Sequence, residues 1–68
     1  MIFLKINGVE EQIAANSVAD LLAARGIDPA ARFLAVAVNG AVVRRAEWAS
    51  AALNAGDRVE IVRPFSGG

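Results

Sequence analysis

The side chains able to do chemistry in this chain are few, and that scarcity directs the reading. It contains neither cysteine nor histidine. Disulfides, thiolate metal ligands, a thiol nucleophile and the commonest general base are therefore all excluded. Among what remains, seven carboxylates, Lys5, Ser17 and Ser66 are the candidates. Glu10 and Glu11 are neighbours in an alternating segment, so they point to opposite faces and cannot flank one substrate. A solvated strand edge accounts for both. Lys5 lies beside Phe3 on the outer face, with nothing to desolvate and activate its amine. Gly8, Gly40 and Gly56 each mark a turn, and no glycine-rich phosphate loop matches. Arg44 and Arg45 form a small basic spot, read as solvated surface or a partner contact. No residue set here is a metal site, and the domain alone is not an enzyme.

The group left over is the end of the chain, "RPFSGG", Arg63 to Gly68. Ordinary glycine usage makes a Gly-Gly ending roughly a one-in-two-hundred event. Lacking Cβ atoms, Gly67 and Gly68 can thread a narrow channel in another protein and approach its nucleotide. A free carboxylate is a poor electrophile because it has no good leaving group. Adenylation by ATP would make a mixed anhydride that expels AMP, and a sulfur nucleophile could then produce a thiocarboxylate. The Gly68 carboxylate is thus the candidate carrier group, with Ser66, Gly67 and Gly68 as a slim reach. A frayed end or an added scar is the bland alternative.

The elements that must present this tail are legible in the periodicity. "IFLKI" alternates Ile2, Leu4 and Ile6 against Phe3 and Lys5, the period of a half-buried strand. Asn7–Gly8 follows as a hairpin signal, since both positions of a type I′ turn need positive φ. "VEEQI" returns with Val9, Glu11 and Ile13 on one face. That register puts Glu11 among apolar residues, so it sits at the sheet rim or the turn is shifted by one. "NSVADLLAARG" reads as a helix with Ser17 as N-cap, Asp20 in its first turn and Gly26 just past its end. Val18, Leu21 and Leu22 form its apolar stripe.

"DPAAR" adds one capped turn, with Asp28 before Pro29. "FLAVAV" is a further strand with Leu34, Val36 and Val38 on its heavy face, and Asn39–Gly40 makes a second hairpin into "AVV". In "AEWASAAL", a short helical turn or loop, Trp48 and Leu53 are anchors; a partner contact is the weaker reading of Trp48. "RVEIV" is the last strand, with Val59 and Ile61 inward, and Pro64 ends its ladder.

One helix covers one sheet face. The order therefore gives an α+β, β-grasp (ubiquitin-like) domain over 1–63, a mixed four- to five-stranded sheet with one main helix across one face. Residues 64–68 follow as a flexible tail. The 68 residues are 56% hydrophobic, but 15 of those side chains are alanine, and the formal net charge is zero. The larger apolar residues suffice for one small core without a buried cleft. The cancelling, unclustered charges give no nucleic-acid footprint. There is no membrane span or signal peptide pattern, so a cytoplasmic domain, monomeric when free, is expected.

The early Asn-Gly turn, "SVADLL", "LAVAVNG" leading to "VVRRAEW", "AGDRVEIV" and the final "GG" together resemble the bacterial ThiS family. These are the ubiquitin-like sulfur carrier proteins of thiamine (thiazole) biosynthesis. The likeness runs essentially end to end. The stretch from Asn39 to Trp48 is its part most particular to the thiazole branch. Arg44 departs from the proline common there, and "RPFSGG" also looks like the small subunit of molybdopterin synthase.

The resemblance implies that an E1-like adenylyltransferase, using ATP and Mg²⁺, activates Gly68. Sulfur drawn from cysteine by a cysteine desulfurase would give the thiocarboxylate, and thiazole synthase would accept it. The carrier itself would bind no cofactor. The rival readings are sulfur donation to molybdopterin, a protein modifier joined through Gly68, and an interaction domain with an idle tail. On the open sheet face, Phe3 and Val62 are expected to form an apolar docking patch on adjacent central strands. That patch would lead through Pro64 toward Phe65.

Overall fold

A computed structural model describes residues 1–63 of the chain; Pro64, Phe65, Ser66, Gly67 and Gly68 lie outside the described residues. Five strands form one sheet: β1 (Ile2–Ile6), β2 (Val9–Ile13), β3 (Ala35–Val38), β4 (Ala41–Val43) and β5 (Arg58–Val62). Their order is β2-β1-β5-β3-β4. β5 runs parallel to β1 and antiparallel to β3, while the hairpins β1–β2 and β3–β4 are antiparallel. One helix, α1 (Val18–Ala24), crosses between the hairpins and covers one face. This is the expected β-grasp arrangement, with five strands.

Both Asn-Gly turns form with every φ positive: Asn7 49° and Gly8 84°, Asn39 51° and Gly40 84°. Asparagine tolerates this region better than most side chains, and glycine enters it freely. The alternation holds in β1 and β5, where Leu4, Ile6, Val59 and Ile61 are buried. Glu11 does face inward, opposite Leu4, and does so on the edge strand β2. There its carboxylate pairs with Arg25 at the end of α1. The turn is therefore in register and the rim reading holds. Glu10 pairs with Lys5 on the other face.

Helix α1 is short but well terminated. Ser17 Oγ accepts the Asp20 N–H at 3.1 Å, and the Asp20 carboxylate accepts the Asn16 N–H at 3.2 Å. The N–H groups of Val18 and Ala19, which have no partner inside the helix, donate to the Ala51 and Trp48 carbonyls. At the other end Gly26, at φ 70°, donates to Ala23 O, and Ile27 donates to Leu22 O. This is a Schellman ending, and Ile27 buries its side chain beside it. Val18, Leu21 and Leu22 are fully enclosed against the sheet. Burial of side chains this size is worth about 1.5–3 kcal/mol each.

Two expectations need correction. The third strand begins at Ala35, not at Phe33: Phe33 has φ 61° and stands 79% exposed. Phe33 and Leu34 are adjacent large apolar residues, and only one can face the core. Leu34 takes that place, and the chain turns at Phe33. A left-handed conformation costs a non-glycine residue about 1–2 kcal/mol.

The basic spot also divides. Arg44 is exposed, but Arg45 is engaged in three contacts. Its guanidinium lies 4.7 Å from the centroid of the Trp48 ring and donates to the Pro29 and Ala31 carbonyls, the latter at 2.9 Å. Trp48 is buried to 4% exposure and its indole N–H donates to Val43 O at 2.9 Å. Trp48 is thus a core anchor, and Arg45 fastens the Asp28–Arg32 turn onto it. In that turn Asp28 Oδ1 accepts the Ala30 N–H and the Asp28 carbonyl accepts that of Ala31, as a capped turn requires.

The parallel ladder between β1 and β5 is short, and Asn7 completes it. The Asn7 N–H donates to Val59 O at 2.9 Å, continuing the backbone pairing. Its side chain then replaces the missing strand. Oδ1 accepts the Ile61 N–H at 2.8 Å and Nδ2 donates to the Ile61 carbonyl at 3.2 Å. Asn39 does the equivalent at the start of β5. Its Oδ1 accepts the Arg58 N–H at 2.9 Å and its Nδ2 donates to Asp57 Oδ1 at 3.0 Å.

Asn7→Gly keeps the turn and deletes both bonds to Ile61. It is expected to lower stability by about 1–2 kcal/mol in urea unfolding. Arg45→Lys loses the planar fork that reaches two carbonyls while stacking on Trp48. It should cost about 1–2 kcal/mol, read by urea unfolding followed through Trp48 fluorescence.

Candidate functional site

The expected working group, Gly68, and the tail residues Pro64, Phe65, Ser66 and Gly67 lie outside the described residues. What the fold supplies is the place where that tail is rooted. β5 is the central strand of the sheet, and its last residues, Ile61 and Val62, are held from both sides. Asn7 grips Ile61 on the β1 side, and Val62 pairs with Ala35 of β3 on the other. Gripping the backbone on both flanks this close to Pro64 fixes the point at which β5 ends.

The open face of the sheet carries Phe3, Lys5, Glu10 and Gln12 from β1 and β2, and Arg58, Glu60 and Val62 from β5. Ala35, Ala37 and Val42 from β3 and β4 complete it, as the pairings require. Phe3 and Val62 are both exposed, at 54% and 61%. They are not neighbours. The parallel register sets Lys5 beside Arg58, which places Phe3 level with Gly56, and the Gly56 N–H donates to the Phe3 carbonyl at 2.8 Å. Val62 lies six residues further along the strand direction, about 20 Å away. The single patch expected from Phe3 and Val62 does not form, because adjacency of two strands does not fix which residues stand side by side.

Val62 has other company. Ala35 is its partner, Ala37 follows, and Val42 beyond Ala37 is 76% exposed. Phe33 stands at the entry to β3, at the same end of the sheet as Val62. The apolar part of the open face is thus gathered around the root of the tail, on low-relief alanine backing. Phe33 and Val42 escaped the sequence reading. The available signal was the doublet Phe33–Leu34, which leaves one large side chain unaccounted for by any core. Among the described residues no cluster of three or more carboxylates could hold a metal ion. No helix there is long and apolar enough to cross a membrane.

Comparison with known proteins gives a consistent picture. A solved crystal structure of a thiamine biosynthesis protein (ThiS) from Geobacter metallireducens is similar with a TM-score of 0.80 and 27% sequence identity. The match covers 98% of this chain and 100% of that one. An NMR solution structure of a thiamine biosynthesis protein from the same organism matches with a TM-score of 0.79 at 27% identity, covering 98% of this chain and 88% of that one. No curated protein matches the chain. The ThiS family model matches residues 4–68, from within β1 through both final glycines. With nearly its whole length matched and the β-grasp topology in place, the chain belongs to the ThiS family.

Proposed function

We propose that this protein is a sulfur carrier of thiamine biosynthesis, whose Gly68 carboxylate is the carrier group. The observation that carries this reading is the family match, which runs through Gly67 and Gly68 on a domain whose central strand ends at Val62. In the first step a Gly68 carboxylate oxygen attacks the α-phosphorus of ATP, bound with Mg²⁺ by an E1-like adenylyltransferase, and pyrophosphate leaves. In the second, a sulfur nucleophile derived from cysteine through a desulfurase attacks the acyl carbon. AMP departs with one of the original carboxylate oxygens; where the nucleophile is a persulfide, a thiol then reduces the resulting acyl disulfide, and Gly68 is left as a thiocarboxylate. Thiazole synthase then takes the sulfur and releases the carrier.

The chain contributes no catalytic side chain to these steps. It needs a slim end and a surface that holds the partner. Ser66, Gly67 and Gly68 form the reach, and Val62, Pro64 and Phe65 lie at its root as contacts for the partner. Phe3 is too distant along the sheet to belong to that group.

Intact mass spectrometry tests the reading. The full chain is incubated with the adenylyltransferase, ATP, Mg²⁺, a cysteine-fed desulfurase and a thiol reductant. The expected result is a gain equal to one oxygen exchanged for sulfur, localised to Gly68 and absent when Gly67 and Gly68 are deleted. An unchanged mass beside an adenylyltransferase that modifies another carrier would sink it. Higher-mass conjugates to lysines of other proteins would point to a modifier instead.

A further inference from the structure

Phe33 is the residue the fold has least reason to contain. Its ring is 79% exposed, and its backbone sits at φ 61°, where a bulky side chain is unfavourable. Glycine would satisfy the turn without either cost. Among the described residues the other two non-glycine residues with positive φ are Asn7 and Asn39, and each repays its conformation through side-chain bonds to β5 or the residue before it. Phe33 is held in place from outside: Arg45 bonds the Ala31 carbonyl two residues before it, and Leu34 anchors the next position in the core. An exposed aromatic ring maintained in a strained position is the arrangement expected of a binding anchor.

Its surroundings say what it fits. Val62, Ala35, Ala37 and Val42 supply a flat apolar floor toward that end of the sheet, bordered on β5 by Glu60 beside Ala37. Around it stand exposed arginines: Arg32 precedes Phe33, Arg63 follows Val62, and Arg44 follows Val43 in extended conformation, level with Ala35. None of these three is in a salt bridge among the described residues. Only six residues follow Val62, ending at Gly68. Fully extended, they span about 20 Å. Any enzyme that draws Gly68 into its active site must therefore sit close against this patch.

We propose that Phe33 anchors the docking of the tail-processing adenylyltransferase, which meets it with an apolar surface rimmed by acidic groups. This rests on the carrier reading of Gly68. Phe33 fills an apolar recess of the enzyme, the alanine-backed floor around Val62 packs beside it, and the arginines pair with the rim. The tail then enters the active site from a fixed root. Docking through the ring strengthens binding of the carrier equally before and during adenylation, so its loss weakens capture and leaves the chemical step alone.

The test is steady-state adenylation of the full chain by its adenylyltransferase, followed as pyrophosphate release, with thermal unfolding of each variant. Phe33→Gly is expected to raise KM roughly tenfold or more with kcat within about twofold. Its Tm should stay the same or rise. Arg44→Glu should raise KM and flatten its dependence on salt. Gln12→Ala, across the same face on β2, should leave KM unchanged. An unchanged KM for Phe33→Gly overturns the proposal. So does a fall in kcat accompanied by a lower Tm, which would make Phe33 structural. A wild-type dimer that Phe33→Gly dissociates would assign the patch to a second copy and overturn it too. If the wild-type chain is not adenylated by an enzyme that accepts another carrier, the carrier reading and the docking proposal fail together.

Discussion

The structure depends on placing its last strand in the middle of the sheet. β5 follows both hairpins in the chain yet lies between β1 and β3, so it must be held on two unlike flanks. On the β3 side an ordinary antiparallel ladder does this. On the β1 side the backbone pairing stops early, because β1 turns away at Asn7. The Asn7 carboxamide supplies the donor and acceptor that a longer strand would have provided. Asn39 secures the opposite end of β5 in the same fashion. Each turn asparagine therefore tolerates positive φ and also fastens the central strand. Glycine could fill only the first role, and a β-branched residue is unfavourable in it.

That constraint connects stability to use. Because β5 is fixed nearly to its end, the residues that follow leave from a defined point. The helix side of the sheet is committed to the core, with Leu4, Ile6, Val59 and Ile61 packed under Val18, Leu21 and Leu22. The other face is left open, and its polarity is uneven. Lys5, Glu10 and Arg58 occupy one part, while Val62, Val42 and the alanines of β3 occupy the part nearest the chain exit, with Glu60 beside Ala37 at the border. Arg45 joins the two halves of the story. Stacked on the core residue Trp48, it holds the loop that displays Phe33 beside that exit.

Much of the fold could be read from the chain because its signals are local. Ser17, Gly26 and the two Asn-Gly pairs act on neighbours within a few residues, and strand alternation is a property of consecutive side chains. The β-grasp order followed from one helix between two hairpins with a strand left over. The features that escaped are non-local. The Asn7 side chain bonds a residue 54 positions away, and nothing near Asn7 announces that. Arg45 looked like surface because its acceptors, Pro29 and Ala31, belong to another segment. Phe33 looked like the start of a strand because an apolar residue beside "LAVAV" extends the pattern, whereas packing admits only Leu34.

The sequence by itself determined the elements, the inward residues of β1 and β5, and the absence of cysteine and histidine chemistry that directed attention to the final glycines. These depend on composition and on short-range backbone preferences, which the chain carries with it. Only the tertiary structure decided which exposed residues share a surface. The parallel register between β1 and β5 is set by packing and by the Asn7 clamp rather than by either strand's pattern. It separates Phe3 from Val62 and gathers Val62 with Ala35, Val42 and Phe33 instead.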